Sequence, residues 1–332
     1  MKSRSLGKLR KLGSAAAILC ITSCLATNAG AELANTVTRT EAAGSLIMPF
    51  DSTKGKASFQ IVSRIGAKEI SGSIATHWVY YSTNCQHLVD VFICLTPQDT
   101  VVVDPTALQA EFQKGSTNVG IGPVVDLSGQ RGLLVVTAYA ADSQCRAIPE
   151  QQINEAIFGS WTIANTTTNT GYGADAIGFP VTGVFPDAGV LADGLKIPTY
   201  APDSLTDSMV IVLPIRYPQG SGAFSNEIGP LNRVSCHNTF YDNIETESSL
   251  PSSTLRCANF NPISAATAVE GGDPPIIPDT FTLDTSGFLQ MNRCETSSGP
   301  LSGTRFIFAF HAQGLGPFGT VASGKYTRIL PD

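Results

Sequence analysis

The sequence predicts an all-β protein, a large antiparallel β-sandwich of jelly-roll type with long Gly/Pro-rich loops and one or two short helices. Three observations lead there. Runs of β-branched, aromatic and aliphatic residues recur along the chain, each cut short by turn formers. Strand-like and helix-like segments do not alternate, so a parallel βαβ sheet is not indicated. No unit of roughly 20–50 residues repeats, which sets aside solenoids and propellers.

The strongest of these runs is Ala75–Pro105. Strands are expected over Ile74–Ser82 and Leu88–Leu95, around the polar loop Thr83–His87, with a third over Asp99–Asp104 after the Thr96-Pro97-Gln98 turn. In Leu88–Leu95 both alternating sets of side chains are largely apolar, which predicts a strand covered on both faces in the middle of a layered structure. Before this block, Leu46–Phe50 and Ser58–Ile65 read as strands joined by the turn Asp51–Gly55. After it, Thr106–Gln113 reads as a helix, with Asp104 as cap and Pro105 in the first helical position. The turn Asp126–Gln130 leads into a long strand, Gly132–Ala140. A second short helix is expected over Glu150–Ile157, ahead of a strand at Ser160–Asn165.

Residues 166–207 change character. Gly171, Gly173, Gly178, Gly183, Gly189 and Gly194 alternate with Pro180, Pro186, Pro198 and Pro202, which predicts a long connection and a possible division of the sandwich there. Met209–Tyr217 reads as an edge strand because Pro214 interrupts it. Residues 218–280 read as loop-rich, and the closing strands are Thr280–Asp284, Phe288–Asn292, Arg305–Ala312 and Val321–Leu330. Residues 45–332 are expected to form a single sandwich domain, preceded by a flexible lead-in over 32–44.

The N-terminus carries an export signature. Lys2, Arg4, Lys8, Arg10 and Lys11 precede an apolar stretch, Gly13–Ala26, and Ala29-Gly30-Ala31 supplies a small-residue cleavage site. Residues 1–31 are therefore read as a signal peptide. A rival reading takes Ile21-Thr22-Ser23-Cys24 as a bacterial lipoprotein box with Cys24 lipidated. The apolar stretch is too short for a permanent transmembrane helix. The first thirty-one residues hold five of the 21 basic residues and no acidic ones, so the remainder has a net charge of −11. That sign argues against nucleic acid as a partner. With 14% charged and 42% hydrophobic residues, the chain has the composition of a large buried core, not of a disordered polypeptide.

Six cysteines follow residue 31: Cys85, Cys94, Cys145, Cys236, Cys257 and Cys294. An even number in an exported chain reads as three disulfides. Proximity in sequence favours Cys85–Cys94 and Cys236–Cys257, leaving Cys145–Cys294 for the long-range bridge. No C-x-x-C spacing is present and only Cys236-His237 sets the two zinc ligand types side by side, so no metal site is assigned to them.

Candidate site residues are few. Asp90, Asp99 and Asp104 lie among Val, Ile and Phe, where an unpaired carboxylate is costly to bury. Asp99 and Asp104 with loop carbonyls are a candidate Ca²⁺ site, against a simpler reading in which both cap turns and Asp90 pairs with an arginine. His77 shares a strand face with Val79 and Tyr81 and reads as packed and hydrogen-bonded, though it could join Asp90 in a triad. His311 reads as a surface residue beside Arg305, while His87 and His237 adjoin cysteines in polar loops. Trp78 and Trp161 read as core, and Tyr172, between two glycines, is the best candidate for an exposed aromatic contact to sugar. No G-x-S-x-G, H-E-x-x-H or S-x-x-K motif is present. The expectation is an extracellular or cell-surface protein with a binding or structural role, its partners polysaccharide or cell-envelope components. The alternative is a secreted carbohydrate-active or esterase-like hydrolase with its cleft bordered by 166–207. The sequence does not fix an oligomeric state.

Overall fold

A computed structural model describes residues 42–65, 72–107, 126–167, 170–179, 195–199, 206–217, 224, 226–242, 244, 246–262, 287–297, 299–300, 305–315 and 320–329. The expected signal peptide with Cys24, most of the expected lead-in, residues 108–113 of the first expected helix and the expected strand Thr280–Asp284 lie outside these residues. The strands begin with β1 (Ser45–Asp51), β2 (Lys56–Arg64), β3 (Ile74–Ser82), β4 (His87–Leu95) and β5 (Thr100–Val103). Next come β6 (Arg131–Ala141), β7 (Ala147–Gln152), β8 (Ile157–Asn165), β9 (Thr170–Asp175) and β10 (Ile177–Phe179). The chain continues through β11 (Leu195–Thr199), β12 (Thr206–Arg216), β13 (Gly229–Pro230), β14 (Val234–Asp242) and β15 (Glu247–Leu255). It closes with β16 (Asn259–Pro262), β17 (Gly287–Thr296), β18 (Gly299–Pro300), β19 (Arg305–Leu315) and β20 (Thr320–Ile329).

The all-β sandwich class is what the chain adopts, built from four packed antiparallel sheets. The first runs β10-β1-β6-β3-β4, with β7 added to β6, and the second runs β5-β2-β8-β9. The third runs β11-β17-β14-β15 with β18 on β17, and the fourth runs β13-β12-β19-β20 with β16 on β12. One hydrophobic cluster joins Leu46, Phe50, Trp78, Tyr80, Leu134 and Trp161 to Ile211, Leu213, Phe260 and Phe310, so it draws on both halves of the sequence. A second cluster gathers Val210, Val212, Phe240, Leu289, Met291 and Ile307.

Several local expectations are corrected. β4 is not a central strand: it forms an edge of the first sheet, with Asp90 half exposed, while its neighbour β3 and the next strand, β6, are the ones buried on both faces. The helix expected over Glu150–Ile157 is absent; β7 and the start of β8 stand there. Pairing overrides the local pattern: β7 takes up the end of β6, at Tyr139 and Ala141, that β1 leaves unpaired, and Glu155 has a φ of 52°, outside the right-handed helical region. Among the described residues there is no helix, and Pro105–Ala107 form a turn.

The stretch 166–207 contains β9, β10 and β11, with 180–194 and 200–205 outside the described residues. Gly173 serves strand pairing and not a loop: a Cβ there would run into the backbone oxygen of Trp161. The supposedly loop-rich 218–280 likewise carries β13 to β16. Pro214 does not mark an edge, because β12 is paired with β19 along its whole length and with β16 and β13 on its other side. Its carbonyl accepts from the Leu231 amide at 2.9 Å, so its nitrogen faces the gap between those two short partners and no ladder bond to β19 is lost.

All six expected cysteines are paired, but in none of the expected combinations. The bridges are Cys85–Cys257, Cys94–Cys145 and Cys236–Cys294, with Cα separations of 5.2, 5.9 and 4.1 Å. Cys85 lies in the loop just before β4 and Cys94 near the strand's far end, with roughly 23 Å of extended strand from His87 to Cys94 at about 3.3 Å per residue, so a bridge between them would require the strand to fold back on itself. Cys236–Cys294 links adjacent strands β14 and β17 beside a bulge. Cys85–Cys257 ties the β3–β4 loop to the β15–β16 turn across 172 residues, and Arg256 donates to Asn84 at 2.6 Å alongside it. Replacing Cys85 and Cys257 together by serine is expected to cost about 2–5 kcal/mol in chemical denaturation. An unchanged midpoint would show that this bridge does not constrain the unfolded chain.

Candidate functional site

His77 sits on β3 opposite Phe92 of β4 and Thr137 of β6, on the face of the first sheet that also carries Val79 and Tyr81. It is buried, and so is Glu227, from the segment before β13. His77 Nδ1 lies 2.8 Å from Glu227 Oε1, and the Tyr139 hydroxyl donates to the same oxygen at 2.5 Å. Gln152 Nε2 donates in turn to the Tyr139 hydroxyl at 3.1 Å and to the Asn226 carbonyl at 3.2 Å. The imidazole stacks on Phe92 at 4.3 Å and meets Phe224 at 4.7 Å.

The other ring nitrogen, Nε2, points toward Asp90, whose Oδ2 is 3.5 Å away, an ion-pair distance too long for a well-formed hydrogen bond. His87 Nε2 approaches the second oxygen of Asp90 at 3.7 Å. An imidazole with a carboxylate at each nitrogen is best matched as the imidazolium, since a neutral ring would turn a lone pair toward one of the anions. Burial by itself pulls the His77 pKa down, but Asp90 and Glu227 outweigh it and hold the value above the ordinary one. Asp90 is held low, chiefly by His77. The Tyr139 phenol is pushed up, first by burial and then by the Glu227 charge, and stays neutral.

The arrangement is a relay in which an exposed carboxylate contacts water, a buried histidine stands behind it, and a buried carboxylate and phenol stand behind that. Chemically it can hold or pass a proton. His77 and Asp90 are therefore brought together, and Asp90 pairs with histidines where an arginine had been the alternative. Asp99 and Asp104 serve their own turns. Asp99 accepts from the Thr96 hydroxyl and the Thr100 amide, and Asp104 from the amide and hydroxyl of Thr106, each hydroxyl or amide within 3.2 Å. Among the described residues no group of three or more His, Cys, Asp and Glu is arranged to hold a metal ion.

Tyr172 is corrected. It is fully buried on β9, opposite Ile163, with its ring edge-on to Trp161 at 6.2 Å. Its flanking glycines belong to a strand pair, which removes the reason for placing it at the surface. His237 is exposed beside Ser252, and the His311 side chain lies outside what is described. Glu227, Tyr139 and Phe224 were not singled out from sequence. Glu227 is 150 residues from His77, and no local pattern marks that meeting.

Compared with protein-family models, with curated proteins and with solved structures, the chain matches none.

The stability that His77 contributes is complete below its unfolded pKa of about 6.5 and is lost as pH rises through the higher folded value. The melting temperature should therefore fall more steeply above pH 6.5 in the wild type than in His77→Gln. Parallel profiles for the two proteins would refute the charged pairing. Glu227→Ala, which strands the buried imidazolium, is expected to cost about 3 kcal/mol in denaturant titration.

Proposed function

We propose that this chain is an exported protein with a binding or structural role at the cell surface or elsewhere in the envelope, and that polysaccharide or other envelope components are its partners. The observation that carries the reading is the set of three disulfides, which suits an oxidising compartment outside the cytoplasm. Among the described residues no helix is long and apolar enough to cross a membrane. A scaffold cross-braced between distant turns keeps its surface geometry fixed, as adhesion or architecture requires. The basic and apolar N-terminal segment supports export, by cleavage after Ala31 or by lipidation of Cys24.

A second reading, a secreted carbohydrate-active or esterase-like hydrolase, is favoured by one observation, the Asp90–His77–Glu227 relay. There Asp90 would act on a substrate at the surface, with His77 and Glu227 behind it as positioning residues, because the buried imidazole does not itself reach solvent.

The two readings separate in one experiment on the purified mature protein. Retention on insoluble polysaccharide or cell-envelope fractions, with no turnover of chromogenic glycosides and esters, is the expected result. Turnover abolished by Asp90→Asn would overturn it in favour of the hydrolase. Intact mass of the mature N-terminus, beginning at Glu32 or carrying a diacylglyceryl Cys24, distinguishes the two routes of export.

A further inference from the structure

Phe224, Asn226 and Glu227 form a short strap across the His77 side of the first sheet. None of them belongs to a strand, and the Glu227 amide donates to the Phe224 carbonyl at 3.2 Å to close a turn. The strap is held to the sheet through side chains. The Phe224 ring lies 4.7 Å from His77, 5.4 Å from Phe92 and 5.3 Å from Tyr139. Gln152 donates to the Asn226 carbonyl, and Glu227 is bound by His77 and Tyr139. Immediately beyond it, Ile228 is in the core and Gly229–Pro230 pair with β12. The strap can therefore lift from a fixed point without breaking a strand ladder.

One proton decides how firmly it is held. The charged His77 ring points one N–H at Glu227, 2.8 Å away, and the other at Asp90, 3.5 Å away. The neutral ring has a single N–H, and the buried Glu227 carboxylate then loses the charge that opposes it. The groups around the ring come from four elements. β4 brings Asp90, with the half-exposed His87 beyond it, β6 brings Tyr139, β7 the neutral Gln152, and the strap Glu227. His77 holds Asp90 low, and burial pushes Tyr139 up, so both keep their charge state as the ring titrates.

We propose that Asp90, His77 and Glu227 form a pH-operated clasp, which pins the strap to the first sheet while the ring is charged and releases it when the ring loses its proton. Lifting rehydrates the ring and removes Glu227 from it, which returns its pKa toward about 6.5. The closed form has the higher value, so linkage fixes the shape of the response. The open fraction is constant below about pH 6.5, rises by up to about tenfold per pH unit above it, and levels off beyond the closed-form value. Release uncovers the His77 imidazole, Phe92 and the Tyr139 phenol together.

Native-state hydrogen exchange on the mature protein, run from about pH 5 to about pH 9 and corrected for the intrinsic rate at each pH, reads the opening. Peptides containing Asn226 and Glu227 should lose protection as pH rises through this window, and should be less protected throughout than peptides of β3 and β6. His77→Gln should abolish the pH dependence. Asp90→Asn, at a half-exposed position that leaves the fold intact, should reduce it, because one of the two carboxylates favouring the charged ring is gone. His87→Gln should preserve it. A strap whose protection is independent of pH overturns the proposal, and so does a dependence that survives in His77→Gln or disappears in His87→Gln. Protection equal to that of β3 and β6 at every pH overturns it too, since the strap would then open only with the whole fold.

Discussion

The architecture depends on burying strands on both faces at once. β12 shows the constraint most clearly: Val210 and Val212 enter one hydrophobic cluster while Ile211, Leu213 and Ile215 enter the other. A strand so enclosed has no water for its backbone, so each amide and carbonyl must find a lateral partner. β19 supplies them along one side, and β16 and β13 share the other. The single break between the two short partners falls at the one residue that has no amide proton to satisfy. Sequence and pairing are thus matched at the level of individual hydrogen bonds, and the same strand welds the two clusters into one body.

The same economy makes the His77 relay unusual within the fold. A buried carboxylate such as Glu227 is costly unless its oxygens are donated to and its charge is opposed. Here a phenol and an imidazole both donate to one oxygen, and the imidazole is itself held between two carboxylates. Phe92 and Phe224 keep water from the ring, which strengthens the electrostatics and raises the cost of losing any member. Asp51 and Lys56, also buried, are a simpler case: their pairing at 2.9 Å closes the β1–β2 turn with Thr53 donating to the second oxygen of Asp51. The difference is reach. The turn pair joins neighbours in sequence, whereas Glu227 pins a segment from the far half of the chain onto the first sheet.

What could be read from the sequence follows that distinction between local and distant. The periodicity of Ile74–Ser82 and Gly132–Ala140 identified strands because alternation is a property of the strand itself. The packing of His77, Trp78 and Trp161 followed from the same pattern; the turn-capping of Asp99 and Asp104 was the simpler of two readings and rested on their places beside turns, which are also local. The disulfide partners did not, because a chain of 332 residues brings cysteines together through sheet topology that no spacing encodes. Gly173 and Pro214 misled for a related reason. Each is a turn former by its own chemistry, yet each occupies a strand position where a neighbouring backbone demands a missing Cβ or tolerates a missing N–H.

Rigid bracing matters where apolar side chains stand at the surface, as Phe59 and Phe158 do on the second sheet. A flat apolar sheet face is a hazard in a chain that opens and closes, since transient exposure of neighbouring strand edges turns weak contact into irreversible β-aggregation. Cys85–Cys257 closes the longest span of sequence of the three bridges, and Cys94–Cys145 anchors β4, an edge of the first sheet. On the second sheet one edge is kept to the four residues of β5 and the other to the six of β9. With β5 short and β4 tethered, the apolar side chains of Phe59 and Phe158 can stand at the surface of the second sheet without inviting strand addition.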